Sequence, residues 1–336
     1  MAWLSWFRTR QERQEVLQGE QSGQRGQRGQ RGQQAERAGR RTTPVGTMIE
    51  GDEAESDSEQ QFLWYEGRRH MTNVPYLLPK DGQEVSRLDF QHYMIRYALQ
   101  RNFVAPVENP KGILDTGCGT GRWAQEMATA FPKAKVFGLD IIEESGENST
   151  RPTNYRFVHG DVLQELPFPD MTFDYVHQRF MHMAIPVEKW PIVAKELVRV
   201  TRPGGWVEMV ESDLVMRNIG PATQQLTQWG FELSKRRNID PRICSWTPNF
   251  LFDAGLTNIQ KYRLDLPIGS WGGRLGIMAV TDLYAFNRAL RPHIMAQFGV
   301  SANEFDNLTN VMRQEWEAHH SYFSVYLACG QRPSRT

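Results

Sequence analysis

The chain has 336 residues, 40% hydrophobic and 11% aromatic, with 39 Lys and Arg balanced by 39 Asp and Glu. That length and composition suit one large globular domain or two small ones, and net neutrality argues against a nucleic-acid or membrane partner. No apolar run approaches the ~18 residues of a spanning helix, which excludes a transmembrane protein.

The neutrality is a cancellation. Residues 1–47 carry a balance of +5, residues 48–62 of −6 and residues 63–336 of +1. The opening Met1-Ala-Trp-Leu-Ser-Trp-Phe7 falls short of a signal-peptide core, which needs about 7–15 apolar residues. Residues 8–47 are rich in Gln, Arg and Gly, with three tandem Gly-Gln-Arg triplets at 23–31. Few apolar side chains there offset ordering entropy, so residues 1–60 are predicted to form a disordered low-complexity tail. Cys118, Cys244 and Cys329 lie far apart with no CxxC pair, which fits neither a disulfide framework nor a zinc site. A reducing, cytoplasmic location and no bound metal are expected.

Order is predicted from Gln61. Asp81-Gly-Gln-Glu84 reads as a capping box, and Val85, Leu88, His92, Ile95 and Leu99 fall on one helical face. Buried strands are predicted at Ile113–Asp115, Lys135–Asp140, Tyr155–His159, Phe173–Gln178 and Trp206–Glu211. Between them, Trp123, Met127 and Phe131 form one helical stripe, and Trp190, Val193, Leu197 and Val200 another, stopped by Pro203-Gly204-Gly205. Further strands are expected at 258–266 and 321–329, with helices near 222–236, 277–297 and 302–319. Strand–helix alternation of this kind implies an α/β fold, a mostly parallel sheet covered on both faces.

The chemistry concentrates in Ile113-Leu-Asp-Thr-Gly-Cys-Gly-Thr-Gly121, a strand running into a glycine loop and then a helix. Gly117, Gly119 and Gly121 are spaced GxGxG, not the GxGxxG of dinucleotide folds. Such a loop brings backbone N–H groups close to a ligand because no Cβ intervenes. Asp115, at the end of the strand, would repel a phosphate but accept from an ammonium. Asp140, 25 residues on and ending the next strand, is placed to hold both ribose hydroxyls. Asp161, in His-Gly-Asp-Val after the third strand, is placed to accept from an adenine amino group. An adenosine carrying an amino acid in place of phosphates fits all three, and S-adenosylmethionine is such a molecule.

These residues resemble the class I S-adenosylmethionine-dependent methyltransferases, and three segments resemble the LaeA-type (TAM-domain) branch. They are Tyr76-Leu-Leu-Pro-Lys-Asp-Gly-Gln-Glu-Val-Ser-Arg-Leu-Asp-Phe-Gln-His92, Phe173-Asp-Tyr-Val-His-Gln-Arg-Phe180 and Arg202-Pro-Gly-Gly-Trp-Val-Glu-Met-Val-Glu211. The resemblance implies a Rossmann-like seven-stranded sheet whose last strand, expected at 321–329, is antiparallel. It implies one domain over 61–333, with a cofactor half at about 105–212 and a substrate-side insertion at about 213–320. It also implies cofactor binding through Asp115, Gly117, Gly119, Gly121, Asp140, Asp161 and Gln178, with Cys118, Ile141 and Val162 beside them. Tyr76 and Gln91 are expected as lid contacts, although Arg87 and Asp89 on the same helix fit a purely structural role.

A sulfonium methyl is already electrophilic, so aligning the acceptor matters most, and a hydroxyl acceptor adds the need for a base. His177 and His182, after the fourth strand, are the candidates. Arg179 beside them would neutralise an acidic substrate or pair with Glu211 or Asp174, and the pairing is favoured. Trp229, Trp246, Trp271, Phe250 and Phe252 suggest an aromatic-lined acceptor pocket. The expected activity is methylation of a small-molecule O or N acceptor, in secondary metabolism by resemblance. The alternatives are a LaeA-like regulator working through a protein partner held by the tail, which would allow a nuclear location, and a pericyclase-like enzyme that binds the cofactor without methyl transfer. Neither nucleic acid nor a base-methylation motif is expected, since Gln178-Arg179-Phe180 stands where Asn/Asp-Pro-Pro-aromatic would.

Overall fold

A computed structural model describes residues 62–72, 74–143 and 151–334. The tail assigned to residues 1–60 lies outside them. The first ordered element is a hairpin that sequence patterning did not announce. β1 (Phe62–Tyr65) and β2 (Arg68–Met71) pair antiparallel across Glu66-Gly67, whose φ angles of 49° and 74° are those of a two-residue turn matched to strand twist. Arg68 then clasps Asp81 through two hydrogen bonds of 2.7 and 2.8 Å, fixing the hairpin to the start of α1 (Gly82–Leu99). Asp81 caps α1 as expected, accepting from the Glu84 N–H at 2.9 Å. The return half of the capping box is replaced by an ion pair, because the Glu84 carboxylate meets Arg87 at 2.6 Å.

Seven strands form the main sheet: β3 (Gly112–Thr116), β4 (Lys135–Asp140), β5 (Tyr155–His159), β6 (Phe173–Arg179), β7 (Thr201–Arg217), β8 (Thr257–Pro267) and β9 (Tyr322–Gln331). Their spatial order is β5-β4-β3-β6-β7-β9-β8. Pairing is parallel from β5 to β7, and β9 runs antiparallel to both β7 and β8. This is the Rossmann-like arrangement the sequence led us to expect. The glycine loop leaves β3, the strand at which the order reverses, which is where open α/β sheets leave a crevice for ligands.

The helices are α2 (Arg122–Ala130), α3 (Trp190–Val200), α4 (Pro221–Lys235), α5 (Thr247–Asp253), α6 (Gly273–Phe298) and α7 (Ala302–Ala318). Alternate strand residues face opposite layers. Ile113 and Tyr175 pack with Trp123 and Met127 of α2, while Leu114 and Val176 pack with Trp190 and Leu197 of α3. A third cluster joins α1, α4, α6 and α7 to Val210, Leu264 and Leu327 of the antiparallel end.

One strand departs clearly from the sequence reading. β7 spans 201–217, well beyond 206–211, and Pro203-Gly204-Gly205 lies inside it at a shift in pairing register. At Gly205 a Cβ would stand 2.8 Å from the Asp174 carbonyl oxygen, so the glycine permits that close approach. The short helix α5 was not expected. The segment 213–320 supplies α4 to α7 but also β8, a full member of the sheet.

Candidate active site

A cavity of about 370 Å³ opens over the carboxyl ends of the parallel strands, beneath α1 and α6. Of the residues singled out in the sequence, Tyr76, Gln91, Asp115, Gly117, Cys118, Gly119, Asp140, Ile141, Asp161, Val162, Arg179 and His182 line it. Gly121, His177 and Gln178 do not.

The loop is shaped by contacts that forbid side chains. Gly117 has φ +64°, and a Cβ there would lie 2.2 Å from Met181 Sδ. Gly121 has φ +71° and caps α2, where a Cβ would lie 2.5 Å from Tyr155 Oη. Its role is therefore steric, with Tyr155 holding the loop from behind. The Gly119 N–H donates to Asp140 Oδ2 at 2.8 Å, and the Cys118 N–H donates to the Leu139 carbonyl at 3.0 Å, so the loop is tied to the end of β4. From the other side Asp89 accepts from Thr120 Oγ1 at 2.6 Å and from Arg122 at 2.8 Å. Asp89 thus anchors α1 to the loop, not to the sheet.

Asp115 is almost fully buried and accepts from His177 Nδ1 at 2.8 Å. A carboxylate only accepts, so Nδ1 carries the proton. The imidazole also stacks on Trp123, with centroids 3.8 Å apart and planes 7° from parallel. His177, a candidate base on sequence grounds, is held in the core behind Asp115 and orients that carboxylate. Gln178 is buried on the opposite side of β6, away from the cavity, with both amide heteroatoms unpaired. Burial, with Asp140 and Asp115 alongside, pushes the Cys118 thiol well up from the ordinary cysteine range.

His182 does reach the cavity. Phe180, a non-glycine residue at φ +56°, ends β6 and turns the chain into a short 3-10 segment, Met181–Met183. Bulky residues enter this conformation at a cost, and such costs gather at functional sites. The turn sets His182 Nδ1 3.0 Å from Glu211 Oε2. Glu211, fully buried on β7, also accepts the N–H groups of Met181 and His182 at 3.0 and 3.1 Å. With Nδ1 donating to Glu211, the lone pair of His182 sits on Nε2. The Cys244 thiol lies beside this pair, the three donor atoms all within 4.8 Å of one another.

The comparisons agree with this geometry. A family profile described as "Methyltransferase domain" matches residues 113–205, the glycine loop through the start of β7. The chain is 30% identical over 305 residues to "Methyltransferase pytC" of Aspergillus terreus, covering 83% of this chain and 90% of that protein. It is 31% identical over 303 residues to "Secondary metabolism regulator LAE1" of Cochliobolus heterostrophus, covering 81% and 94%. With "N-methyltransferase verN" of Clonostachys rogersoniana it shares 31% identity over 205 residues, covering 58% and 69%. The chain belongs to the class I S-adenosylmethionine-dependent methyltransferases, in their LaeA-like branch.

Several features of this methyltransferase escaped sequence reasoning. Arg179 pairs with neither Glu211 nor Asp174. Glu211 is taken by His182, and Asp174 accepts from Arg202 and from the N–H groups of Lys111 and Gly112. Among the described residues Arg179 makes no ion pair, and its guanidinium donates instead to His92 Nδ1 at 3.1 Å. Arginine cannot accept, so His92 offers a lone pair at Nδ1 and carries its proton on Nε2, 3.2 Å from Glu126. Burial pushes both groups down from their ordinary ranges, with Asp115, Glu126 and Glu208 opposing it at Arg179.

Gln91 donates to Asp282 at 3.1 Å, and the buried Arg87 bridges Glu84 and Asp282 at 2.6 and 2.8 Å. These bonds tie α1 to α6 over the cavity. The expected aromatic pocket is differently made. Trp246 and Phe252 are exposed, Trp229 stacks on Phe298, Phe250 stacks on Trp190 and Trp271 stacks on His320. Aromatic lining comes instead from Tyr76, Trp123, Phe180, Phe286 and Phe323. No helix among the described residues is long and apolar enough to cross a membrane.

Proposed function

We propose that this enzyme methylates a hydroxyl or amine of a small molecule, with His182 as general base. The cavity supports S-adenosylmethionine as donor. Asp115 suits the α-ammonium, Asp140 the ribose hydroxyls, Asp161 and the Val162 backbone the adenine edge, and the glycine loop leaves no Cβ to fill the space. When bound, that cofactor supplies an electrophilic methyl group and a thioether leaving group.

The chain's own residues do the rest. Glu211 holds the His182 Nδ1–H and leaves Nε2 free to take the acceptor's proton. Burial of Glu211 stabilises the imidazolium formed in that step. Arg179, positioned by His92 and open to the cavity near Asp115, is read as the receptor for a carboxylate. Asp115 and Arg179 both line the cavity, a minus and a plus that match the plus and minus of an amino-acid zwitterion.

The observation that carries the proposal is the His182–Glu211 contact at the cavity wall. To test it, the protein is incubated with the labelled cofactor and a panel of phenols, alcohols and secondary amines. S-adenosylhomocysteine should accumulate with at least one acceptor and be sharply reduced in His182→Ala. No turnover across the panel, with the cofactor bound, would favour the pericyclase-like alternative.

A regulatory reading rests on the relative named a secondary metabolism regulator. It assigns residues 1–60, with their opposed charge blocks, to a protein partner. Deleting residues 1–60 separates the two: unchanged activity on small molecules but lost activity in cells would favour regulation.

A further inference from the structure

A second, smaller cavity of about 40 Å³ lies beside the first, between α4 and α6. The two share four lining side chains, Met183, Leu214, Leu283 and Phe286, so these form the partition. Met183 follows His182 in the chain, which places the partition next to the general base. The partition is adaptable on one side, since methionine repacks readily. On the other side it is fixed. Leu214 sits at φ +52° where β7 loses register with β9, between Ser212 and Met216. A bulge of this kind re-aims a side chain, here onto the cavity wall.

The smaller cavity is apolar. Of its three polar side chains, Thr227, Ser234 and Asn287, two are engaged locally: Ser234 Oγ donates to the Gly230 carbonyl at 2.9 Å, and the Asn287 amide donates to the Leu283 carbonyl at 2.8 Å. No charged residue lines it.

Gly230 is the informative position. It lies in the interior of α4, where glycine is unfavourable relative to alanine. Neither usual reason for a glycine applies. Its φ is not left-handed, and a Cβ built there would meet nothing within 4 Å. Gly230 lines the apolar cavity, and a side chain added there would meet no protein atom at its first carbon.

We propose that this cavity receives a short apolar branch of the methyl acceptor, with Gly230 setting the length it admits. The acceptor is then amphipathic. Its nucleophilic atom stands at His182, and a hydrocarbon branch passes Met183, Leu214 and Phe286 to end against Gly230. This rests on the reading of the main cavity as the site of methyl transfer.

The test uses phenol and its 4-methyl, 4-ethyl and 4-propyl derivatives, titrated by calorimetry with and without saturating S-adenosylhomocysteine. In the wild type, affinity should rise roughly fourfold per added carbon, the value for burying a methylene. In Gly230→Leu the rise should stop at the methyl derivative, while phenol itself binds as before. Gly230→Ala should fold with a thermal midpoint at or above that of the wild type and shorten the series by less. Equal slopes in wild type and Gly230→Leu would overturn the assignment. So would a wild-type affinity independent of chain length, including no binding up to solubility, whether or not the leucine variant folds. If the slope holds but S-adenosylhomocysteine does not bind, the methyl-transfer reading fails and the apolar pocket stands.

Discussion

Nδ1 of His182 lies 3.0 Å from Oε2 of Glu211, a carboxylate with no exposed surface. Both carboxylate oxygens are occupied by N–H donors from the same turn, so the contact fixes the tautomer and ring plane together. His182→Ala should lower kcat for hydroxyl acceptors by about 10²–10⁴, the usual yield of a positioned base. Cofactor affinity should stay within about twofold. Steady-state kinetics with isothermal titration of S-adenosylhomocysteine checks this; a parallel loss of cofactor binding would mean that His182 acts in binding.

Arg179 provides a second test, through charge. Removing one charge-assisted partner typically costs about 1.5–3 kcal/mol, so Arg179→Met should bind S-adenosylmethionine roughly 10- to 150-fold more weakly. The wild type should discriminate to a similar degree against the decarboxylated cofactor, and Arg179→Met should bind the two equally. Unchanged cofactor affinity with a raised acceptor KM would place the carboxylate on the acceptor.

At Gly121 the prediction concerns stability. Alanine there meets both a left-handed φ of +71° and the Tyr155 hydroxyl at 2.5 Å. The conformational part alone is about 1–2 kcal/mol. Gly121→Ala should lower the unfolding midpoint in urea, and adding Tyr155→Phe should recover the steric part. A double variant no more stable than the single one would show that the hydroxyl is not the obstacle.

The hairpin is pinned to α6 by a histidine pair. His293 Nε2 lies 3.0 Å from the Leu77 carbonyl and 3.3 Å from His70 Nδ1. Burial, with His70 and Arg237 nearby, pushes His293 down to about 4, and burial lowers His70 as well. In the unfolded chain both titrate near 6.5. As pH falls from about 6.5 towards 4, the unfolded state takes up protons that the fold refuses, so stability drops across that window. His293 contributes at most about 3 kcal/mol of it. Urea titrations at pH 7.5, 6 and 4.5 should show His293→Gln with a shallower loss than wild type; equal slopes would remove His293 as the cause.

Much of this was legible in the sequence. β3 and β4 announced themselves as short apolar runs ending in Asp115 and Asp140, and the glycine spacing separated the loop from a dinucleotide fold. The hairpin at 62–71 did not, because its strands are four residues each, with Leu63–Tyr65 exposed and His70 the one buried residue, leaving no alternation to read. The choice between the histidines needed three-dimensional information. His177 is the register partner of Asp115 and shares its face, whereas His182 owes its position to the left-handed Phe180. That Arg179 makes no ion pair among the described residues was equally hidden. Glu211 and Asp174 looked available until the fold committed them to His182 and to the start of β3.

One topological fact bears on how the enzyme comes into being. Tyr322–Gln331 lies between Thr201–Arg217 and Thr257–Pro267, two strands made long before it. During synthesis, Thr257–Pro267 has no sheet neighbour to join until those ten residues emerge from the ribosome. The five-stranded parallel portion, whose strand ends carry the acids we propose for the cofactor, can assemble first, with Thr201–Arg217 as an open edge. A nascent chain stalled before residue 322 should therefore hold a nearly complete donor site on a sheet prone to pairing with its neighbours. The last strand acts as the closing stitch, and chaperone demand should peak just before it appears.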